Sequence, residues 1–161
     1  MIGLVFLYLA AIIIANLTTA YFGAWFSVVN AFLFIGLDIT TRDSLHEKWR
    51  GKWLYLKLGL LIGTGSLLSW LLNANAGQIA LASFISFAIA GVIDTIVYAI
   101  LGAKAKWIKV NGSNVASSLA DSILFPTIAF GSFIPLVTLL QFACKVFGGS
   151  VWYFVLNRRK A

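Results

Sequence analysis

Charged residues are scarce in this chain of 161 residues: 11% are Asp, Glu, Lys or Arg, whereas 61% are hydrophobic and 15% aromatic. The mean hydropathy is +0.95. A soluble fold cannot use so large an apolar fraction in its core, and this excludes the water-soluble class. Because each membrane crossing takes about 20 residues, we expect a single membrane domain over residues 1–161, with no room for a separate soluble domain.

Cysteine and histidine occur once each. Cys144 lies in an apolar stretch with no nearby Cys or His, which excludes a disulfide framework and a thiolate metal site. The pair His46-Glu47 cannot form a zinc-protease motif, because His-Glu-x-x-His needs a second histidine. We therefore expect no metal site and no cofactor, and an intramembrane enzyme is disfavoured.

Hydropathy divides the chain into six predicted spans. No Lys or Arg precedes the first apolar run and further membrane segments follow it, so we expect a retained span rather than a signal peptide. The polar residues Asn16–Thr19 mark the point at which the first two runs can turn. The expected spans are Ile2–Ala15, Ala20–Leu37, Leu54–Leu72, Gln78–Leu101, Val115–Phe133 and Ile134–Leu156.

Basic residues alternate between the predicted loops. Eleven of the twelve lie after the second, fourth and sixth spans: Arg42, Lys48, Arg50, Lys52, Lys57, Lys104, Lys106, Lys109, Arg158, Arg159 and Lys160. The loops Asn16–Thr19, Asn73–Gly77 and Gly131–Pro135 carry no charge. The positive-inside rule then predicts an all-α bundle of six transmembrane helices with both termini cytoplasmic. Topology also explains the net charge of +7 without a nucleic-acid partner.

Three charged residues fall well inside predicted spans, away from their ends: Asp94 in the fourth, Asp121 in the fifth and Lys145 in the sixth. Such groups face a bundle interior and often mark a solute or ion pathway. Chain direction places both carboxylates roughly two turns from the cytoplasmic side. We expect a cavity in which a carboxylate accepts paired N–H bonds, Lys145 or Gln141 donates to a carbonyl, and Trp70, Trp152 or Tyr98 offers a ring face.

A purely structural role is the alternative for these charges. Lys145 would neutralise one aspartate as a buried ion pair that fixes helix registration. Asn16, at the end of a predicted span, is expected at the outer mouth of the cavity.

The segment Leu37–Trp49 is the most polar part of the chain. One interpretation is an interfacial helix with aromatic side chains at headgroup level and basic side chains on anionic lipid. The other is a cytoplasmic gate or coupling element, built on Asp38, Arg42, Asp43 and Glu47.

Four sequence features together point to a known family: Asn16 after the first span, Gly36–Asp38 closing the second, Val92–Thr95 in the fourth, and Asn114–Phe125 with the pattern Asn-x-x-x-Ser-x-x-Asp-[Ser/Thr]-x-x-Phe. The chain resembles the VUT family (DUF165) of queuosine precursor transporters, and the likeness covers most of its length. It departs from the family in its compact loops and in Arg42–His46, which resembles a smaller subgroup.

The resemblance implies a six-helix bundle similar to the substrate-binding subunits of energy-coupling-factor transporters. It implies import of 7-cyano-7-deazaguanine or its aminomethyl relative. By the motif match, Asp121, Asn114 and Ser118 would be site positions, with Asp94 next.

We therefore expect an importer of a 7-deazapurine that works by alternating access in a bacterial inner membrane, or in the host membrane if phage-encoded. A capture subunit that needs an energising partner, docked on the Ala11–Ala15 face, is a second hypothesis. A structural or pore-forming membrane protein that binds no purine is a third. Both a monomer and a homo-oligomer agree with the sequence. Membrane lipid is an expected partner and nucleic acid is not.

Overall fold

The computed structural model of the chain describes residues 2–49, 53–102, 104 and 106–157, which are helical apart from short turns. The helices are α1 (Ile2–Phe22), α2 (Ala24–Asn30), α3 (Gly36–Lys48), α4 (Leu54–Leu72), α5 (Gly77–Ile100), α6 (Lys106–Phe130) and α7 (Pro135–Asn157). A π-helical segment, Ala31–Ile35, joins α2 to α3, and a 3₁₀ turn, Ala74–Ala76, precedes α5.

The first helix is longer than expected, because the turn predicted at Asn16–Thr19 is helical. Helix α1 ends at Phe22, and the chain turns at Gly23, whose φ of 80° favours glycine. Thr18 stays compatible with a helix because its hydroxyl donates to the carbonyl of Ile14 at 2.6 Å. The polar residues therefore serve contacts inside the bundle and do not end the helix.

The second helical rod runs past its predicted end at Leu37. Helix α2, the π-helical segment and α3 follow one another without a break from residue 24 to residue 48. Asp38 and Arg42 therefore lie on a helix that continues directly from the apolar segment Ala24–Asp38. Single π-helical turns occur often at functional sites, and this one places Ile35 beside the cavities described below.

The remaining helices lie close to the predicted spans. Helix α4 coincides with its prediction, and α5 and α7 differ from theirs by about one residue at each end. Helix α6 begins at Lys106, nine residues before the predicted start at Val115. Hydropathy locates only the apolar part of a helix, and the first turns of α6 are polar.

Within the described residues, three helical segments are long and apolar enough to cross a membrane: Ile2–Phe22, Ala74–Ile100 and Pro135–Trp152. Two shorter apolar helical segments, Ala24–Asp38 and Leu56–Leu72, accompany them. Many of their large apolar side chains are exposed; Phe6 is 69% exposed and Leu139 is 63% exposed. The architecture is that of an integral membrane helical protein.

The helices form a closed ring. Going round it, α1 packs on α4, α4 on α5, α5 on α6, α6 on α7, and α7 on the rod of α2 and α3, which returns to α1. The antiparallel pair α5 and α6 has the most extensive contact. The interior is polar: Asn16, Asn30, Asp121, Gln141 and Lys145 are buried. Ala11 and Ala15 are buried as well, so the face expected to dock an energising partner is occupied within the bundle.

Two glycines allow the second rod to cross α7 closely. A Cβ atom at Gly36 would lie 2.6 Å from the carbonyl carbon of Gly148, and one at Gly148 would lie 3.0 Å from the Cα of Phe32. Both obstacles are backbone atoms, which cannot move aside as a side chain can. Small residues at such crossings allow backbones to approach in membrane bundles.

We expect Gly148→Ala to destabilise the protein by about 1–3 kcal/mol, because the added methyl group overlaps the backbone at Phe32. The neighbouring Gly149→Ala is the matched control, since a Cβ there meets nothing within 4 Å. Thermal unfolding of both purified variants in detergent measures the difference. Equal stability of the two variants would show that the second rod and α7 can move apart at this crossing without loss of stability.

Candidate functional site

A central cavity lies inside the helix ring. Its free space is about 20 Å³ for the centres of water molecules, which is room for about one or two waters. The helices are thus closed around it. Residues from α1, α2, the π-helical segment, α5, α6 and α7 line it: Ala15, Asn16, Thr19, Ser27, Asn30, Ile35, Ser83, Phe87, Asp121, Phe125, Gln141 and Lys145.

An ion pair lies in the wall of the central cavity. The Lys145 ammonium donates to Asp121 Oδ2 at 2.6 Å and to the Ser122 hydroxyl at 3.0 Å. Both charged side chains are buried, at 3% and 6% exposure. Taking two charges out of water is costly, and a short charge-assisted hydrogen bond with a further polar partner offsets that cost. The pair joins α6 to α7.

Two acceptor atoms of this cavity lack a hydrogen-bond partner: Asp121 Oδ1 and Gln141 Oε1. The other end of the Gln141 amide is used, because its Nε2 donates to the Ser27 hydroxyl at 2.6 Å. Leaving a buried acceptor unsatisfied costs about 1–3 kcal/mol, so such atoms call for a ligand or water. The arrangement can accept hydrogen bonds from a molecule with two N–H groups.

The buried asparagines are committed to protein partners. The Asn16 amide donates to Ser69 on α4 at 3.1 Å, and its oxygen accepts from Ser83 on α5 at 2.6 Å. Asn30 donates to the Ala15 carbonyl at 3.0 Å. These bonds hold the helices around the cavity together. Asn16 therefore lines the cavity as expected from its position, while its amide connects three helices.

An inner cavity adjoins the central one. Ile35, Phe87 and Asp121 line both, and the other residues of the inner cavity are Asp38, Arg42, Ala90, Ser117 and Ser118. Two of the predicted gate residues, Asp38 and Arg42, are thus brought close to the ion pair, together with Ser118 from the family motif. The side chains of Asp43 and Glu47 lie outside the described part of the structure.

Three predicted site residues line neither cavity. Asp94 is half-buried on α5, one helical turn beyond Ala90, and Tyr98 is 39% exposed a turn further on. The Asn114 carbonyl accepts from Ser117 at 3.1 Å on α6. Asp94 thus lines neither cavity, although its Oδ1 is buried and has no hydrogen-bond partner.

Sequence reasoning missed Ser27, Asn30 and Phe87. Ser27 and Asn30 carry the only hydroxyl and amide side chains of the predicted second span apart from Tyr21, and their spacing of three puts them on one helix face. Phe87 lies four residues after Ser83 on α5 and so shares its face. Phe87 and Phe125 supply aromatic surface at the cavity, where Tyr98 was predicted to do so.

Among the described residues, the structure groups no three His, Cys, Asp or Glu side chains that could hold a metal ion. The site consists of one ion pair, two free acceptors and two phenyl rings. A helical bundle that is apolar outside and charged within is typical of an integral membrane transport protein.

The comparison with known families agrees with this class. The Vut_1 family model, described as "Putative vitamin uptake transporter", matches residues 2–155, and the chain belongs to this family. No curated protein and no solved structure matches the chain. The family predicted from the sequence is confirmed, and the transporter class with it.

Removing either charge of the ion pair is expected to be worse than removing both. Lys145→Met alone leaves the buried Asp121 carboxylate without its partner, and we expect it to cost about 3–5 kcal/mol, whereas Asp121→Asn leaves the Lys145 ammonium a neutral acceptor and should cost less. The double variant should be more stable than the sum of the single effects predicts. Unfolding of the three variants in detergent measures the coupling, and strictly additive effects would mean that the two charges do not interact.

Proposed function

We propose that the protein imports a queuosine precursor, 7-cyano-7-deazaguanine or a related 7-deazapurine. The observation that carries the proposal is that two acceptors without hydrogen-bond partners, Asp121 Oδ1 and Gln141 Oε1, belong to side chains that line the central cavity together with Lys145. A deazaguanine presents a ring N–H and an exocyclic amine next to each other, with a carbonyl on the other side of the ring N–H. Its donors suit the two acceptors and its carbonyl suits an ammonium N–H.

The phenyl rings support a planar solute. Phe87 on α5 and Phe125 on α6 both line the central cavity, so a flat heteroaromatic ring has apolar surface to pack against. Offset stacking adds about 0.5–1.5 kcal/mol beyond area burial. Polar groups that fix orientation, set in apolar surroundings, are the usual composition of a small-molecule site.

The small size of the central cavity supports alternating access. A purine needs more space than one or two waters, so the helices must separate to admit it. Ile35 and Phe87 lie between the central and inner cavities and would have to part on the cytoplasmic side. Asp38 and Arg42 would then form the gate. Asp94, Asn114 and Tyr98 would meet the solute only after opening.

We further propose that all six long helical rods cross the membrane, with both termini in the cytoplasm of a bacterial cell. The shorter apolar segments are completed by polar turns at their cytoplasmic ends, as in the continuation of α2 into α3. This topology is compatible with a separate module that energises import, and also with a homo-oligomer.

The ion pair favours a second candidate, a structural membrane protein in which Lys145 and Asp121 serve assembly alone. Assembly accounts for the ion pair that Asp121 Oδ2 forms with Lys145, but it gives no reason for burying Asp121 Oδ1 and Gln141 Oε1 without hydrogen-bond partners. Import is therefore preferred.

We expect purified protein to bind 7-cyano-7-deazaguanine in preference to guanine and a B vitamin, and Asp121→Asn to lose binding and cellular uptake while staying folded. The amide of asparagine has one acceptor oxygen, which would face Lys145, so the acceptor to the ligand is lost. Ser86→Ala is the control, because Ser86 is buried on α5 and lines neither cavity. Calorimetry in detergent and uptake assays measure both. Wild-type transport by Asp121→Asn would refute the site.

Two single-cysteine variants test the topology in a background with Cys144→Ala. Asn75 and Lys104 are exposed and lie at opposite ends of α5. We expect a membrane-impermeant maleimide to label Asn75→Cys in intact cells, and Lys104→Cys only after the membrane is opened. Labelling of both from outside would contradict six spans with cytoplasmic termini.

A further inference from the structure

Ser27 contacts Gln141, a cavity side chain whose amide orientation affects which ligands fit. A glutamine amide has nearly the same shape at both ends, so either its oxygen or its nitrogen can face a cavity. An oxygen there selects a donor on the ligand, and a nitrogen selects an acceptor. The partner at the other end of the amide therefore determines specificity.

The hydroxyl of Ser27 has a single hydrogen, and it is already used. Ser27 donates to the Ala24 carbonyl one turn earlier in α2 at 2.5 Å, so its oxygen can only accept a second hydrogen bond. The Gln141 Nε2 atom supplies that bond at 2.6 Å. A reversed amide would either set two oxygens against each other or take the Ser27 hydrogen away from the Ala24 carbonyl, and one hydrogen bond is lost in either case. Both side chains are buried, which makes the lost hydrogen bond costly.

We infer that Ser27 is a specificity-determining positioning residue, which holds the Gln141 amide so that the central cavity offers an acceptor at that point. Gln141 Oε1 and Asp121 Oδ1 then form a pair of acceptors without protein partners. The ligand class selected is a planar base with an exocyclic amine beside a ring N–H. A base without that amine leaves one acceptor unsatisfied, and a base with a carbonyl in its place adds repulsion.

The identity of the ligand in this inference rests on the proposed function, whereas the orientation of the amide does not. The orientation can be tested without a ligand, because the chain contains two glutamines, Gln78 and Gln141. Gln78 is exposed and donates to the Ile128 carbonyl, and so provides an internal reference.

In protein labelled with ¹⁵N-glutamine, we expect one side-chain amide signal, assigned by its absence in Gln141→Met, to exchange its hydrogen slowly. Ser27→Ala should shift that signal and speed its exchange, while leaving the Gln78 signal in place. Exchange of the Gln141 amide as fast as that of Gln78 in the wild type would overturn the inference.

The ligand test compares 7-cyano-7-deazaguanine with 7-cyano-7-deazahypoxanthine, which differs only by lacking the exocyclic amine. We expect the wild type to prefer the first by about tenfold or more, and Ser27→Ala to lose most of that preference. Ser86→Ala is the matched control, because Ser86 is buried on α5, bonds to the Ser83 carbonyl and does not line the cavity. Ser27→Thr keeps the hydroxyl and should keep the preference.

The outcomes separate the two claims. An unchanged preference in folded Ser27→Ala would overturn the role of Ser27 and leave the proposed function intact. Failure of the wild type to bind either base would refute the proposed function, and the exchange measurement would still decide the orientation of Gln141.

Discussion

The buried ammonium of Lys145 is the constraint on which the rest of the interior depends. An unpaired charge inside a membrane bundle is costly, so α7 must lie where an anion and a further polar group can reach it. Asp121 and Ser122 on α6 provide both. This fixes α6 against α7 and places the second oxygen of Asp121 at the boundary of two cavities.

Closing the ring around that pair requires contacts that apolar side chains alone do not supply, because lipid is as apolar as the helices. Association in a membrane relies on close packing and hydrogen bonds between helices. The structure has both: Gly36 and Gly148 allow two backbones to cross closely, and the Asn16 amide connects three helices through Ser69 and Ser83. The polar interior thus consists of committed groups that hold the ring and uncommitted acceptors that can bind a solute.

Transport and stability make opposite demands on these groups. Helices held only by committed hydrogen bonds would be too rigid to admit a solute, whereas the ion pair and the two acceptors can exchange partners with a ligand. The shared position of Phe87 in both cavities means that movement of α5 relative to the second rod would alter access from both sides. Membership of the Vut_1 family, described as "Putative vitamin uptake transporter", agrees with an interior that can exchange partners with a ligand.

Much of the architecture was predictable from the sequence. Low charge and long apolar runs predicted the membrane class and the approximate positions of the helices. The spacing of Asn114, Ser118 and Asp121 matched the motif of the family. These features are local, since hydropathy and short motifs are read along the chain. Polar residues in apolar helices were also recognisable as candidates for the interior, because lipid excludes them.

Tertiary structure alone decided what each polar residue does. Asn16–Thr19 have the composition of a turn, yet they are helical in α1, where Asn16 bonds to Ser69 on another helix and Thr18 bonds to the Ile14 carbonyl of α1 itself. Asp94 and Asp121 look alike in sequence, but only Asp121 faces Lys145 and the cavities, because facing depends on how α5 and α6 are rotated in the ring. The orientation of Gln141 depends on Ser27, 114 residues away. The sequence by itself determined that the chain is a membrane bundle with charges inside. The packing of helices distant in sequence decided which of those charges meet, because two side chains can form an ion pair only where the backbone brings them together.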